Sequence, residues 1–234
     1  MIITKTKTKI NPSELTEGAV LLIDKPKNRS SFFVVNVIRK KFGIKKVGHA
    51  GTLDPAATGL LIVCIGKKTK EINQFQEMHK VYSGTITLGA STVSMDSETE
   101  LTNVKEVNNL NVDKILEIKN SFLGEIEQIP PMFSAIKYKG KSLYKYARKG
   151  IEIERNPRKV SIYRFDIKEI KTPEITFEIE CSKGTYIRVI ANDFGIKTGF
   201  GGYLSELRRT QIGEYKVEDS FSLEEIDKLE IINN

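Results

Sequence analysis

One carboxylate stands out for its surroundings. Asp54 lies inside Gly48–Gly59, GHAGTLDPAATG, where four of twelve residues are Gly or Pro. Glycine frees φ, and proline fixes φ and removes a donor, so both interrupt regular structure. Pro55 pushes the residue before it, Asp54, away from the helical region toward extended backbone. His49 stands a few residues upstream. Immediately downstream, Leu60–Ile65 is an unbroken apolar run of strand length, as in a strand buried on both faces. A stiff loop that presents an acid beside a core strand suits nucleophilic or general-base work. An Asp-Pro pair also fits an ordinary turn whose carboxylate bonds its own backbone. No acidic cluster accompanies Asp54, which poorly serves a metal-dependent nuclease.

Two further residues could act with it. Arg188 sits among Ile187, Val189 and Ile190 near the start of a helix-like stretch. A cation among apolar neighbours is costly unless a carboxylate pairs with it, whereas an exposed helix arginine costs nothing. Tyr82 falls on the apolar face of an alternating segment, where it could be plain core or a ring presented to a ligand, with a π-face and a titratable hydroxyl.

The elements that must position these groups can be read from periodicity. Val20–Ile23 reads as a short strand ending in Asp24-Lys25-Pro26. A helix follows, capped by Ser30 or Ser31, with Val34, Val37, Ile38 and Phe42 as its apolar stripe and Gly43 as its stop. A helix over about 69–78 turns Ile72 and Phe75 inward. Residues 81–88 alternate as a strand with Tyr82, Gly84, Ile86 and Leu88 on one face. A capped helix over 111–124 has Ile115, Leu116 and Phe122 as its apolar residues, and Ser142–Gly150 reads as a short basic helix. Ile175, Phe177, Ile179 and Cys181 alternate as a strand; Thr185–Phe194 is helical with Gly195 as its stop; Ser222 to Glu225 fits a capping box. Polar 103–111 is a candidate mobile surface segment. Helices fall irregularly between alternating strands, which favours an α+β class with a mixed, mainly antiparallel sheet over a doubly wound fold.

The chain has 234 residues, 37 Lys or Arg and 30 Asp or Glu, for a net charge of +7. An excess of this sign points to polyanionic partners. Cys64 and Cys181 lie in strand-like runs without CxxC spacing, as buried thiols of a cytoplasmic protein would. With two histidines, His49 and His79, scattered elsewhere, no metal site is expected. The Thr/Lys-rich start lacks the apolar core of a secretory signal, and no apolar run nears the roughly 18 residues of a membrane helix.

Five blocks in order give the chain a family likeness: Asp24-Lys25-Pro26, the Gly48–Gly59 loop, Pro130–Tyr138 (PPMFSAIKY), Cys181–Arg188 (CSKGTYIR) and Leu207-Arg208-Arg209. Together they resemble the bacterial tRNA pseudouridine(55) synthase family, the TruB-type enzymes, across about 18–219. The resemblance implies the pseudouridine synthase fold, a mixed sheet with a central cleft and flanking helices. Residues 1–16 would be an N-terminal extension and 17–234 the catalytic domain. It implies isomerisation of uridine 55 in the TΨC loop of tRNA: an N-glycosidic bond breaks and a C-glycosidic bond forms with the same base, so no cofactor is needed. Asp54 would attack or deprotonate the ribose, Arg188 would pair with Asp54 and aim it, and Tyr82 would stack on the base and handle its proton. His49, Tyr186 and Leu207 would complete the uridine pocket, with the target flipped out of its stack. Lys25, Lys70, Lys137, Lys139, Arg148, Lys183, Arg208 and Arg209 form the expected phosphate-facing set. The basic, aromatic stretch Tyr138–Arg148 is its best patch, because bases stack on rings while cations track phosphates.

The likeness is incomplete in two places. Family members commonly carry a C-terminal RNA-binding module of the PUA type, and here it is expected to be absent or reduced to the helix after Ser222. The segment Gly89–Glu98 keeps Asp96 but not the fuller acidic pattern of its relatives. The expected partner is tRNA alone, bound by a cytoplasmic monomer with no membrane contact. The rival expectation is a non-catalytic tRNA-binding or folding module in which Asp54 is a turn residue.

Overall fold

The computed structural model describes residues 1–232, and the chain divides into two compact units. The first comprises Met1–Tyr82 and the segment from Arg208 onward; the second is Ser83–Leu207.

The first unit contains β1 (Ile2–Ile3), α1 (Pro12–Gly18), β2 (Ala19–Lys25), α2 (Ser31–Phe42), β3 (Val47–His49), β4 (Thr58–Ile65) and α3 (Ile72–Glu77). It also holds the first residues of β5 (Lys80–Leu88), a strand that continues into the second unit. The second unit adds α4 (Val112–Asn120), β6 (Gly124–Gln128), α5 (Leu143–Ala147), β7 (Arg158–Lys171), β8 (Glu174–Cys181) and α6 (Ile187–Thr198). Strand β9 (Gly202–Ile212) begins there and ends in the first unit, which β10 (Tyr215–Lys216) and α7 (Leu223–Lys228) complete.

In the first unit β2 and β3 each run antiparallel to β4, while β1 is parallel to β2 and β9 parallel to β4. The continuous apolar runs of β2 and β4 are explained by two cores. Leu21, Ile23, Leu61, Val63 and Ile65 face one cluster with Val34, Val35 and Ile38 of α2. Val20, Leu22, Leu60, Ile62 and Cys64 face another with Phe75, Ile212 and Val217. Each large apolar side chain so buried contributes about 1.5–3 kcal/mol. The register Leu21↔Val63 and Leu22↔Ile62 keeps each set on its own side, and a slip of one residue would exchange them.

In the second unit β7 pairs antiparallel with β6 and with β8, giving a mixed α+β architecture for the chain as expected. Phe122, Phe165, Phe177 and Phe194 interlock the turn after α4 with β7, β8 and α6, with ring centroids 5.9–6.2 Å apart.

Most predicted elements form, with three corrections. The stretch before α3 is a 3-10 turn, Gly66–Glu71, so the α-helix itself is shorter than expected. On α4 the inward partner of Ile115 is Ile118, and Leu116 is exposed. Gly195 does not stop α6; the stop is Gly199, in left-handed backbone at φ 84°. Gly195 is needed for contact: a Cβ there would lie 2.1 Å from the Gly202 nitrogen of β9. Cys64 and Cys181 are buried and share no disulfide, and burial first of all pushes the Cys64 thiol up to about 12, leaving it inert. No helix among the described residues is long and apolar enough to cross a membrane.

Candidate active site

The Asp54 loop joins β3 to β4, and its backbone is fastened at successive residues. Asp54 opens a turn in which its carbonyl accepts from the Ala57 amide at 3.1 Å, with Pro55 in the second position that its fixed φ suits. Just before it, the Ser31 hydroxyl of α2 binds both polar groups of Leu53, donating to the carbonyl at 3.1 Å and accepting from the amide at 2.9 Å. Just after it, the Pro55 carbonyl accepts from the Asn28 amide at 2.8 Å and from Lys25 Nζ at 3.3 Å. Lys25 is fully buried, and its ammonium also donates to the carbonyls of Pro26 at 2.9 Å and Arg29 at 2.6 Å. Arg209, 1% exposed, donates from Nε to the Leu60 carbonyl at 2.8 Å and from Nη2 to the Gly51 carbonyl at 3.1 Å. Such charge-assisted bonds compensate the burial of both cations and immobilise the loop. The Asp54 side chain itself is half-buried, so solvent or a ligand reaches it.

Gly59 permits the Arg209 clamp. Its φ is 103°, and a Cβ there would lie 2.3 Å from the Arg209 carbonyl of the neighbouring strand. His49, at the end of β3, is half-buried. Burial first and the Arg209 charge second lower its pKa from the usual histidine range, opposed by the Gly51 backbone, so its imidazole is neutral at pH 7. Tyr82 lies on β5 at 9% exposure.

In the second unit Arg188 is the second residue of α6 and 4% exposed. Its Nη1 pairs with Asp96 Oδ2 at 3.1 Å and its Nη2 donates to the Phe133 carbonyl at 2.6 Å. Asp96, itself buried, accepts the Glu98 amide on Oδ1 at 3.0 Å. A desolvated pair in which each partner makes a further hydrogen bond meets the conditions under which a buried ion pair holds. Tyr186 caps α6; Gln128 bonds its amide at 3.0 Å and its carbonyl at 3.3 Å, and the Arg188 guanidinium lies 6.0 Å from its ring centre. Leu207 is half-buried on β9.

Sequences similar to this chain occur in other proteins. The family described as "TruB family pseudouridylate synthase (N terminal domain)" matches residues 39–187. The "tRNA pseudouridine synthase B" of Flavobacterium johnsoniae is 48% identical over 221 residues, covering 92% of this chain and 96% of that protein. The chain belongs to the TruB family of pseudouridylate synthases. It is therefore an isomerase of the pseudouridine synthase fold. The same fold appears in a chain of a Cbf5-Nop10-Gar1 complex, with a TM-score of 0.71 and 28% identity over 95% of this chain. It appears again in an H/ACA RNP bound to a substrate RNA containing 2'-deoxyuridine, with a TM-score of 0.67 and 25% identity over 93% of this chain. This chain spans 59% and 56% of those two chains.

For a TruB-family chain, part of the expected phosphate-facing set is misplaced. Lys25 and Arg209 are buried and bind carbonyls, so neither faces a phosphate. Arg208 is half-exposed and held by both oxygens of Asp24, at 3.0 and 2.7 Å. Lys70, Lys137, Lys139, Arg148 and Lys183 are exposed. Around α5 the cations do meet rings, Arg148 at 4.6 Å from the Tyr144 centre and Lys139 at 5.4 Å from that of Tyr138. Sequence reasoning gave no role to Asp96 beyond its survival in Gly89–Glu98, and none to Gln128. The signal for Asp96 was Arg188 itself, a cation in an apolar helix that required an acid from somewhere.

Proposed function

We propose that this chain converts uridine 55 in the TΨC loop of tRNA to pseudouridine, without a cofactor. The carrying observation is the fastening of Leu53 and Pro55 on either side of Asp54, which fixes the backbone that carries that half-buried residue before substrate arrives. The relative named tRNA pseudouridine synthase B supports tRNA as the substrate, and the fold shared with an RNA-bound H/ACA particle supports RNA as the ligand class.

In this reaction the flipped uridine loses its N1–C1' bond and gains a C5–C1' bond. The proton on C5 leaves to solvent and N1 gains one, so atoms and electrons balance without an oxidant. Asp54 acts on the ribose as nucleophile or base. Arg188 supplies the positive charge that steadies the acidic group, with Asp96 fixing the guanidinium. Tyr82 stacks on the base, and His49, Tyr186 and Leu207 line its pocket. Exclusion of water keeps the detached base from being lost.

The test is release of tritium from a tRNA transcript carrying 5-labelled uridine. Asp54→Asn is expected to lower turnover more than about 10³-fold while RNA binding persists. Turnover equal to the parent protein would remove Asp54 from the chemistry and favour a binding or folding module.

A further inference from the structure

The solvent face of α2 carries an unusual pairing. Its inner face is spent on the core, through Val34, Val35 and Ile38. Outside, two consecutive residues are exposed aromatics, Phe32 at 58% exposure and Phe33 at 36%. Each has a guanidinium against it. Arg29 lies 4.7 Å from the Phe33 ring centre and Arg39 lies 5.6 Å from that of Phe32. Single exposed apolar residues are ordinary on a protein surface. Two neighbouring rings, both with arginines on them, make an organised surface.

The charge around them is equally uneven. From Lys25 to Leu53 the chain has eight Lys or Arg and no Asp or Glu, whereas the whole chain reaches only +7. Lys27, Arg29, Lys40, Lys45 and Lys46 are exposed. Helix α7, which packs against α2, brings Glu224, Glu225 and Asp227, and Lys41 at the far end of α2 donates to the Asp227 carbonyl. That contact lies nine residues from Phe32, roughly 13 Å along the helix.

The start of α2 is also bonded to the Asp54 loop. Ser31, whose hydroxyl binds both polar groups of Leu53, immediately precedes Phe32, and Leu53 immediately precedes Asp54. A strand of RNA whose nucleotide reaches Asp54 therefore passes close to α2.

We propose that this face of α2 is a stacking platform for unpaired nucleotides next to the target uridine, with Phe32 and Phe33 receiving bases and the exposed Arg29 and Lys40 meeting phosphates. The proposal rests on RNA being the substrate. Rings backed by guanidinium groups suit nucleobases, which present a π-face whatever their identity, and the surrounding cations suit the backbone. A membrane fits less well, because the apolar side of this amphipathic helix is already buried in the core.

The chain has no tryptophan, so the Phe32→Trp variant of the full protein carries a unique reporter. Titration with an unmodified tRNA transcript is expected to quench its emission saturably, with the midpoint of RNA binding measured by filter retention. Phe32→Ala/Phe33→Ala is expected to weaken that binding about tenfold or more, and Phe32→Tyr/Phe33→Tyr to restore it. RNA bound with unchanged emission, together with parental affinity in the double alanine variant, would overturn the platform. So would equal quenching by polyglutamate, or a response to phosphatidylserine vesicles and none to RNA. Tritium release by the parent protein is scored separately: its absence defeats the assigned reaction, whereas its presence with a silent tryptophan defeats only the platform.

Discussion

The Asp54 loop and the start of α6 are held by opposite means. Around Asp54, the buried cations Lys25 and Arg209 reach main-chain carbonyls, so that charge secures backbone on both sides of a side chain left accessible. At α6 the buried cation Arg188 is itself secured by a second side chain, Asp96. In one place the fold immobilises neutral peptide groups with positive charge. In the other it fixes a guanidinium with a counter-ion. The difference teaches that a buried lysine or arginine near a reactive loop need not belong to the reaction.

This contrast can be broken by substitution. Asp96→Ala strands a buried guanidinium and is expected to lower unfolding stability by roughly 3–5 kcal/mol in urea titration. Lys25→Met removes a charged donor from three carbonyls and is expected to cost about 3 kcal/mol in the same measurement. If Lys25→Met were neutral, carbonyl capture would not be what steadies the Asp54 loop. The half-exposed Asp24–Arg208 pair supplies the control, and Asp24→Asn is expected to change stability by about 0–1 kcal/mol. The smallest effect concerns pH. Because the folded His49 pKa lies below its unfolded value, the unfolded chain binds the extra proton. The stability tied to neutral His49 is full above the usual histidine range and declines as pH falls below it. Urea midpoints taken from pH 7.5 to 5 should therefore fall less in His49→Gln than in the parent protein.

What could be read from the sequence followed the range of the forces involved. The α2 boundaries were legible because Ser30 accepts the Phe33 amide and Gly43 adopts φ 66°, both local events. The two-sided burial of Leu60–Ile65 was legible because it leaves no polar residue in the run. Gly195 was misread because a glycine that ends a helix and one that admits a neighbouring backbone look alike in sequence. Lys25 and Arg209 were misread because lysine and arginine default to the surface, and the Pro55 and Gly51 carbonyls that help hold them are distant in sequence. The Asp54 loop was legible as a motif, but its fastening by Ser31 joins residues too far apart for any spacing rule.

The close passage of Gly195 over Gly202 reaches further than packing. Two residues without side chains act as the pivot of α6, and Arg188 sits at the end of that lever, seven residues or about 10 Å away. A single methyl at the pivot would swing the helix end and misdirect the guanidinium. In an assay such a change would pass for damage to the chemistry itself, although the altered atom handles neither acid nor nucleotide.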